Sequence, residues 1–207
     1  MSDYYEKNAS KYIEDTINCD MFEQYKFFLK HMSKKGMILD IGFGSGRDMK
    51  YFKSLGYEVE GIDPTISFVN NLKDEFDVYH KRVEDITIIN RYEGIWACAS
   101  LLHVKREDLL DVFRRCFIAL KQDGVMYASF KYGDKEVVIN DRYFNYVNED
   151  ILESILLHTG FKLIDKCITH DVRKGREDEL WLNVVLRQKG DNNEIKKIFK
   201  RSRNDLF

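Results

Sequence analysis

The chain has 207 residues, 44% hydrophobic and 33% charged, with 33 Lys and Arg against 35 Asp and Glu for a formal net charge of −2. That length and balance suit one α/β domain with a substantial core and exclude a disordered or fibrous chain. A near-neutral charge gives no global pull toward nucleic acid or membrane, and no apolar run approaches the roughly 20 residues of a membrane span.

In chain order, residues 1–35 read as an N-terminal helical cap. Tyr4, Tyr5, Ala9, Tyr12 and Ile13 outline one short amphipathic helix. Asp20 with Glu23 forms a capping box for a second, in which Met21, Phe22, Tyr25, Phe28 and Leu29 recur at helical spacing. Met37–Ile41 is then an apolar run expected to be a buried strand. Gly42, Gly44 and Gly46 follow at alternate positions, and a helical pattern runs on through Met49, Tyr51 and Phe52 to Gly56. A strand, a glycine turn and a helix start make a nucleotide-binding corner, because the glycines admit a ligand to the backbone and the helix start offers free N–H groups. The spacing is not that of a dinucleotide fingerprint, since position 47 is Arg47 rather than glycine. Asp40, two residues before the first glycine, would repel a pyrophosphate. It suits a ligand with an ammonium and a sulfonium, which is S-adenosylmethionine. The stretch Asp40-Ile41-Gly42-Phe43-Gly44-Ser45-Gly46 resembles the first motif, (D/E)-x-G-x-G-x-G, of the seven-stranded class I S-adenosylmethionine-dependent methyltransferases.

Tyr57–Pro64 reads as the second strand and ends on Asp63, 21 residues past Gly42. An open α/β sheet places there the carboxylate that grips ribose hydroxyls; an N-cap for the helix from Thr65 is the plainer alternative. Pro64 fixes the backbone beside the adenine. A helix around 67–74 and a short strand near 77–80 lead to Lys81–Ile86. The resemblance implies an acid here that accepts from the adenine amine, beside a backbone N–H that meets a ring nitrogen. Val83, Glu84 and Asp85 are the residues this indicates, the acid being Glu84 or Asp85; the more usual position holds Arg82. The same resemblance implies that Tyr4 or Tyr12 closes over the cofactor as a lid.

Ile95–Ala99 is a buried strand by its continuity. Small residues at 97–100 leave room for the methionine tail, held by the backbone of Ala97–Ser100, Cys98 and Ser100 included. Residues 92–103 are similar to the F-D-x-I-x-x-x-x-x-L-H pattern of small-molecule methyltransferases, with Tyr92-Glu93 replacing Phe-Asp. That implies a site-facing His103, as base or as orienting group; a packing histidine is the alternative. The cysteines, Cys19, Cys98, Cys116 and Cys167, show no zinc spacing, so no metal is expected. Cys98 and Cys116 read as inert core thiols, and free thiols with a polar N-terminus suit the cytoplasm.

Asp108–Leu120 is an amphipathic helix that ends at Lys121–Gly124, and Val125–Phe130 is the fifth strand. The loops of 131–147 are expected to set acceptor specificity, with Tyr132, Arg142 and Tyr143 in the pocket, before a helix at Asn148–His158. Gly160–Thr169 and Leu180–Arg187 form an antiparallel pair joined by a charged turn. The polar tail from Lys189 reads as a solvated terminus, or as an RNA- or partner-binding arm. The expected organisation is a cap (1–35), a methyltransferase domain (36–188) and a tail (189–207). The resemblance covers about residues 37–187 and is nearest to the prophage-type and tellurite-resistance-type methyltransferases. It implies a three-layer α/β sandwich, Rossmann-like, whose seven-stranded, mostly parallel sheet has an antiparallel last strand. It also implies methyl transfer from S-adenosylmethionine to an O, N or S atom of a small molecule, by a monomer or dimer with no membrane partner. RNA (tRNA) or protein methylation and a non-catalytic nucleotide-binding module are the alternatives.

Overall fold

The central strands are apolar on both faces, and each face finds its own helical cover. A computed structural model describes residues 2–173 and 175–189. Its main sheet is built from β1 (Met37–Ile41), β2 (Glu58–Asp63), β3 (Asp77–His80), β4 (Tyr92–Ala97), β5 (Leu120–Lys131), β8 (Phe161–His170) and β9 (Leu180–Gln188), in the order β3-β2-β1-β4-β5-β9-β8. The pairs among β1 to β5 are parallel, whereas β9 is antiparallel to both β5 and β8. The last strand therefore runs against the rest.

Side chains alternate across each strand. Ile38, Trp96, Tyr127 and Val185 face α2 (Phe22–Leu29) and α3 (Arg47–Ser54) through Tyr25, Phe28 and Phe52. Trp96 stacks on Tyr127 with ring centres 4.0 Å apart. Their neighbours Leu39, Ile95, Met126 and Val184 face the other way, against α5 (Arg106–Ala119) and α6 (Glu149–Leu156). These are the three layers. The apolar stripe of α2 is thus part of the core. Its N-terminus lacks the expected capping box: Met21 is the N-cap and makes no side-chain bond, while Asp20 accepts from the Phe22 N–H at 2.9 Å.

Helix α1 (Ser2–Thr16), kinked at Asn8, packs against α4 (Ile66–Leu72). The carboxylate of Glu6 accepts from the N–H groups of Ile66 and Ser67 and from the Ser67 hydroxyl. An acid from another helix thereby satisfies donors that α4 leaves open at its start.

Residues 136–145 are not open loop but a hairpin of β6 (Glu136–Ile139) and β7 (Arg142–Asn145). Its two-residue turn, Asn140-Asp141, has φ of 50° and 59°, the left-handed pair that Asn and Asp tolerate. The tail and its alternative as a binding arm lie, from residue 190 on, outside the described residues.

Gly46 closes the glycine turn as the N-cap of α3, with φ 75°. A Cβ there would sit 2.4 Å from Leu72 Cδ1. Left-handed strain and overpacking together give an expected loss of about 2–4 kcal/mol for Gly46→Ala in urea unfolding. A change below about 0.5 kcal/mol would show that neither constraint operates.

Candidate active site

The loop after β1 is shaped by the tip of β2. The Gly42 N–H donates to the Ile62 carbonyl at 2.7 Å, and the Gly44 N–H donates to Asp63 Oδ2 at 3.1 Å. Asp63 Oδ1 accepts from the Thr65 N–H at 2.8 Å. Burial pushes the Asp63 carboxyl up to about 6, against the opposing pull of these two N–H groups. Each oxygen keeps a second lone pair for a ligand. At Gly44, with φ 50°, an added Cβ would lie 2.8 Å from the Tyr12 ring, so α1 rests directly on this backbone.

Two cavities open above the strand tips. The first is lined by Gly42, Gly44, Asp63, Pro64, Val83, Glu84 and Ser100. The second is lined by Cys98, Ser129, Lys131, Arg142, Phe144, Asp171, Arg173 and Trp181, among others. Tyr5, Tyr12, Gly42, Ala99 and His103 line both, so the cavities meet at these five residues.

Five expected residues line neither cavity, as does the alternative lid residue Tyr4. Gly46 packs on Leu72 instead. Asp85 turns back to accept from the Arg82 N–H at 3.4 Å, which leaves Glu84 as the acid facing the first cavity. The Tyr132 hydroxyl donates to Glu149 at 3.0 Å, on the protein's exterior. Tyr143 projects the wrong way because residues alternate along β7: Arg142 and Phe144 face the cavity, while the Tyr143 hydroxyl donates to Glu136. Asp40 is 1% exposed beneath the glycine loop. Burial holds its carboxyl well above the usual range, with the nearby Asp48 and Asp63 adding to the shift and Arg47 opposing it. Its Oδ2 has no hydrogen-bond partner.

His103 is fixed from both sides. Its Nδ1 donates to the Tyr143 carbonyl at 2.7 Å, which makes Nε2 the acceptor of the Tyr5 hydroxyl at 2.8 Å. Burial pushes its pKa down to about 4, helped by the positive charges of Arg142 and Lys131. The imidazole is neutral at pH 7 and its lone pair is already occupied.

Three features escaped the sequence reading. Tyr5 reaches His103, and its spacing of seven from Tyr12 puts both on one helix face. Asp48 accepts from the Tyr25 hydroxyl at 2.5 Å, Trp96 Nε1 at 2.8 Å and Arg47 Nε at 2.6 Å. The turn before β9 brings Asp171, held by Arg173 and by Trp181 Nε1, into the second cavity. Only the Arg47-Asp48 pair next to the glycines carried a local sequence signal.

The donor set fits S-adenosylmethionine. Asp63 and Glu84 offer acceptors at one end, and the orphaned Asp40 oxygen lies under the loop that separates that end from the second cavity. The Ser100 Oγ is likewise buried without a partner.

The methyltransferase-domain family matches this chain over residues 38–124. Putative methyltransferase YqeM of Bacillus subtilis is 27% identical over 160 residues, covering 71% of this chain and 64% of that protein. An uncharacterized methyltransferase of Staphylococcus carnosus is 27% identical over 143 residues, covering 64% of this chain and 69% of that one. Among solved structures, the 1,6-didemethyltoxoflavin-N1-methyltransferase of Burkholderia thailandensis, with 1,6-didemethyltoxoflavin and S-adenosylhomocysteine bound, shares the fold. Its TM-score is 0.74 at 18% identity, over 91% of this chain and 85% of that one. An S-adenosylmethionine-dependent methyltransferase of Clostridium acetobutylicum gives a TM-score of 0.67 at 13% identity, over 90% and 100% of the two chains. The motif, the strand order, the donor set and these matches agree: residues 38–124 match a methyltransferase domain, in a chain with the fold of the class I, seven-stranded S-adenosylmethionine-dependent methyltransferases.

Proposed function

We propose that this methyltransferase acts on an O, N or S atom of a small molecule. The observation that carries this reading is the second cavity's wall. It comes from three segments outside the parallel sheet: α1 through Tyr5 and Tyr12, the β6–β7 hairpin through Arg142 and Phe144, and the turn before β9 through Asp171 and Arg173. A pocket lined by aromatic rings and a few charged groups suits a compact ligand. The B. thailandensis structure, which holds the small molecule 1,6-didemethyltoxoflavin, supports the same direction.

In this reading Asp63 accepts the ribose hydroxyls with its remaining lone pairs, Glu84 accepts from the adenine amine beside the Val83 backbone, and Pro64 borders the ring. Gly42, Gly44 and the backbone of Cys98 and Ser100 receive the methionine portion, with the Asp40 carboxyl beneath its ammonium. Tyr12 covers the loop. S-adenosylmethionine, when bound, supplies a methyl group already activated by the sulfonium. The chain therefore contributes alignment and the exclusion of water rather than strong acid–base chemistry. His103 serves as an orienting group: it is neutral, and it aims the Tyr5 hydroxyl at the junction of the two cavities.

Two results check these assignments. Hydroxyl recognition by Asp63 needs the carboxylate, which is lost as pH falls through about 6. Calorimetric affinity for S-adenosylhomocysteine should hold above that pH and weaken below it, approaching about tenfold per pH unit. Asp63→Asn should bind about tenfold or more weakly at pH 7.5 and show a flat profile there; an unchanged affinity would remove Asp63 from the ribose. For the acceptor, radiolabelled methyl from S-adenosylmethionine in a cell extract should appear in the low-molecular-weight filtrate. Label confined to tRNA or protein would replace the small-molecule reading with the corresponding alternative.

A further inference from the structure

The wall of the second cavity carries a positive charge that its own carboxylates do not neutralise. Asp171 is taken by Arg173 at 2.5 Å. Glu179 is shared between Lys131 at 2.6 Å and Arg176 at 3.8 Å. Arg142 belongs to neither arrangement, and its Nε is buried without a hydrogen-bond partner. The guanidinium lies 4.3 Å from the centre of the Tyr4 ring and 5.2 Å from that of Phe144. Such ring contacts hold the plane of the guanidinium; one of its N–H groups is engaged by the Tyr5 hydroxyl, which leaves the unpartnered Nε for a ligand.

Position adds to this. Arg142 lies near enough to His103 and Tyr5 to act on the charge of both, and those two residues stand where the cavities join. Lys131 adds a second cation to the same cavity from β5. A partly buried guanidinium with an unsatisfied donor is costly until an acceptor arrives. A ligand that brings a negative charge removes that cost and gains a charge-assisted, fork-shaped contact.

We propose that the methyl acceptor is anionic, a small molecule bearing a carboxylate or phosphate group, and that Arg142 is the residue that selects it. This rests on the small-molecule reading above. The anionic group is the handle by which the acceptor is held, so the methylated atom lies elsewhere on the molecule, toward Tyr5 and His103. The competing occupant for Arg142 is the cofactor's own carboxylate.

The test uses the full chain saturated with S-adenosylhomocysteine, titrated with benzoate, phenyl phosphate and the neutral benzamide by ligand-observed NMR. At least one anion should bind about tenfold or more tightly than benzamide, the ratio expected of one charge-assisted contact. The tighter of the two anions identifies the group. Arg142→Gln should abolish the preference, and Arg142→Lys should keep part of it. Both variants should hold S-adenosylhomocysteine within about threefold of the parent, which also reports a folded site. Three results overturn the proposal: equal binding of benzamide, no binding of either anion at millimolar concentration, or a preference that survives Arg142→Gln. A loss of about tenfold or more in S-adenosylhomocysteine affinity with the anion preference intact would assign Arg142 to the cofactor and overturn it as well. Label transferred to tRNA or protein in the extract would defeat the small-molecule reading alone, because the anion preference is measured without turnover.

Discussion

A single buried carboxylate, Asp48, holds the site together from below. It sits in the first turn of α3, immediately after the glycines, where the helix dipole favours negative charge. Its two oxygens receive donors from α2, from β4 and from its neighbour Arg47. Arg47 reaches on to the Thr16 carbonyl at the end of α1, at 3.3 Å. One charge thus ties the glycine turn to three other elements. Arg47 is held firmly protonated by that carboxylate, while the Tyr25 hydroxyl is made harder to ionise, chiefly by burial. Breaking such a group by removing one partner costs far more than its formation gains, which is why the turn keeps one shape.

Above this base the site divides its work by element. The parallel strands supply backbone and acids at their C-terminal tips, in the place where open α/β sheets receive ligands. Segments outside the parallel sheet supply the walls: α1, the β6–β7 hairpin and the turn before β9. The Tyr5–His103 pair joins the two regions, since one partner belongs to the cap and the other to the turn after β4. Burying the histidine suppresses its basicity and turns it into a rigid acceptor. A reaction whose leaving group is already activated loses little by that exchange.

The parts of this arrangement that were legible in the sequence are the local ones. Asp40 to Gly46 spells its own turn, and Asp63 follows from strand spacing alone. The hairpin at β8 and β9 and the antiparallel last strand follow the family resemblance and appear in the fold. The wall of the second cavity was legible only in part: Arg142 of the 131–147 segment lines it, but long separations assemble the rest, as where His103 meets Tyr143 across 40 residues. Which of Tyr143 and Phe144 lines the cavity is set by strand parity, and it is Phe144; reading that requires recognising β7. The Asn140-Asp141 turn between Val137-Val138-Ile139 and Arg142-Tyr143-Phe144 was the available signal. The Tyr132 side chain turns from the cavity to Glu149 on α6, a partner that the local sequence does not reveal. Asp40 belongs to the motif yet lies under the loop rather than beside the ligand space, a depth that spacing does not encode.

In the proposed reading the cofactor bridges the two cavities, with its sulfur where they join. A crystal structure with S-adenosylhomocysteine tests this most directly. The ribose is expected on Asp63, the purine beside Pro64 and Glu84, the amino-acid end toward Cys98, and the sulfur between Gly42 and the Tyr5–His103 pair. A nucleoside seated in the second cavity among Lys131 and Arg173, or a molecule bound away from the glycine turn, would contradict it.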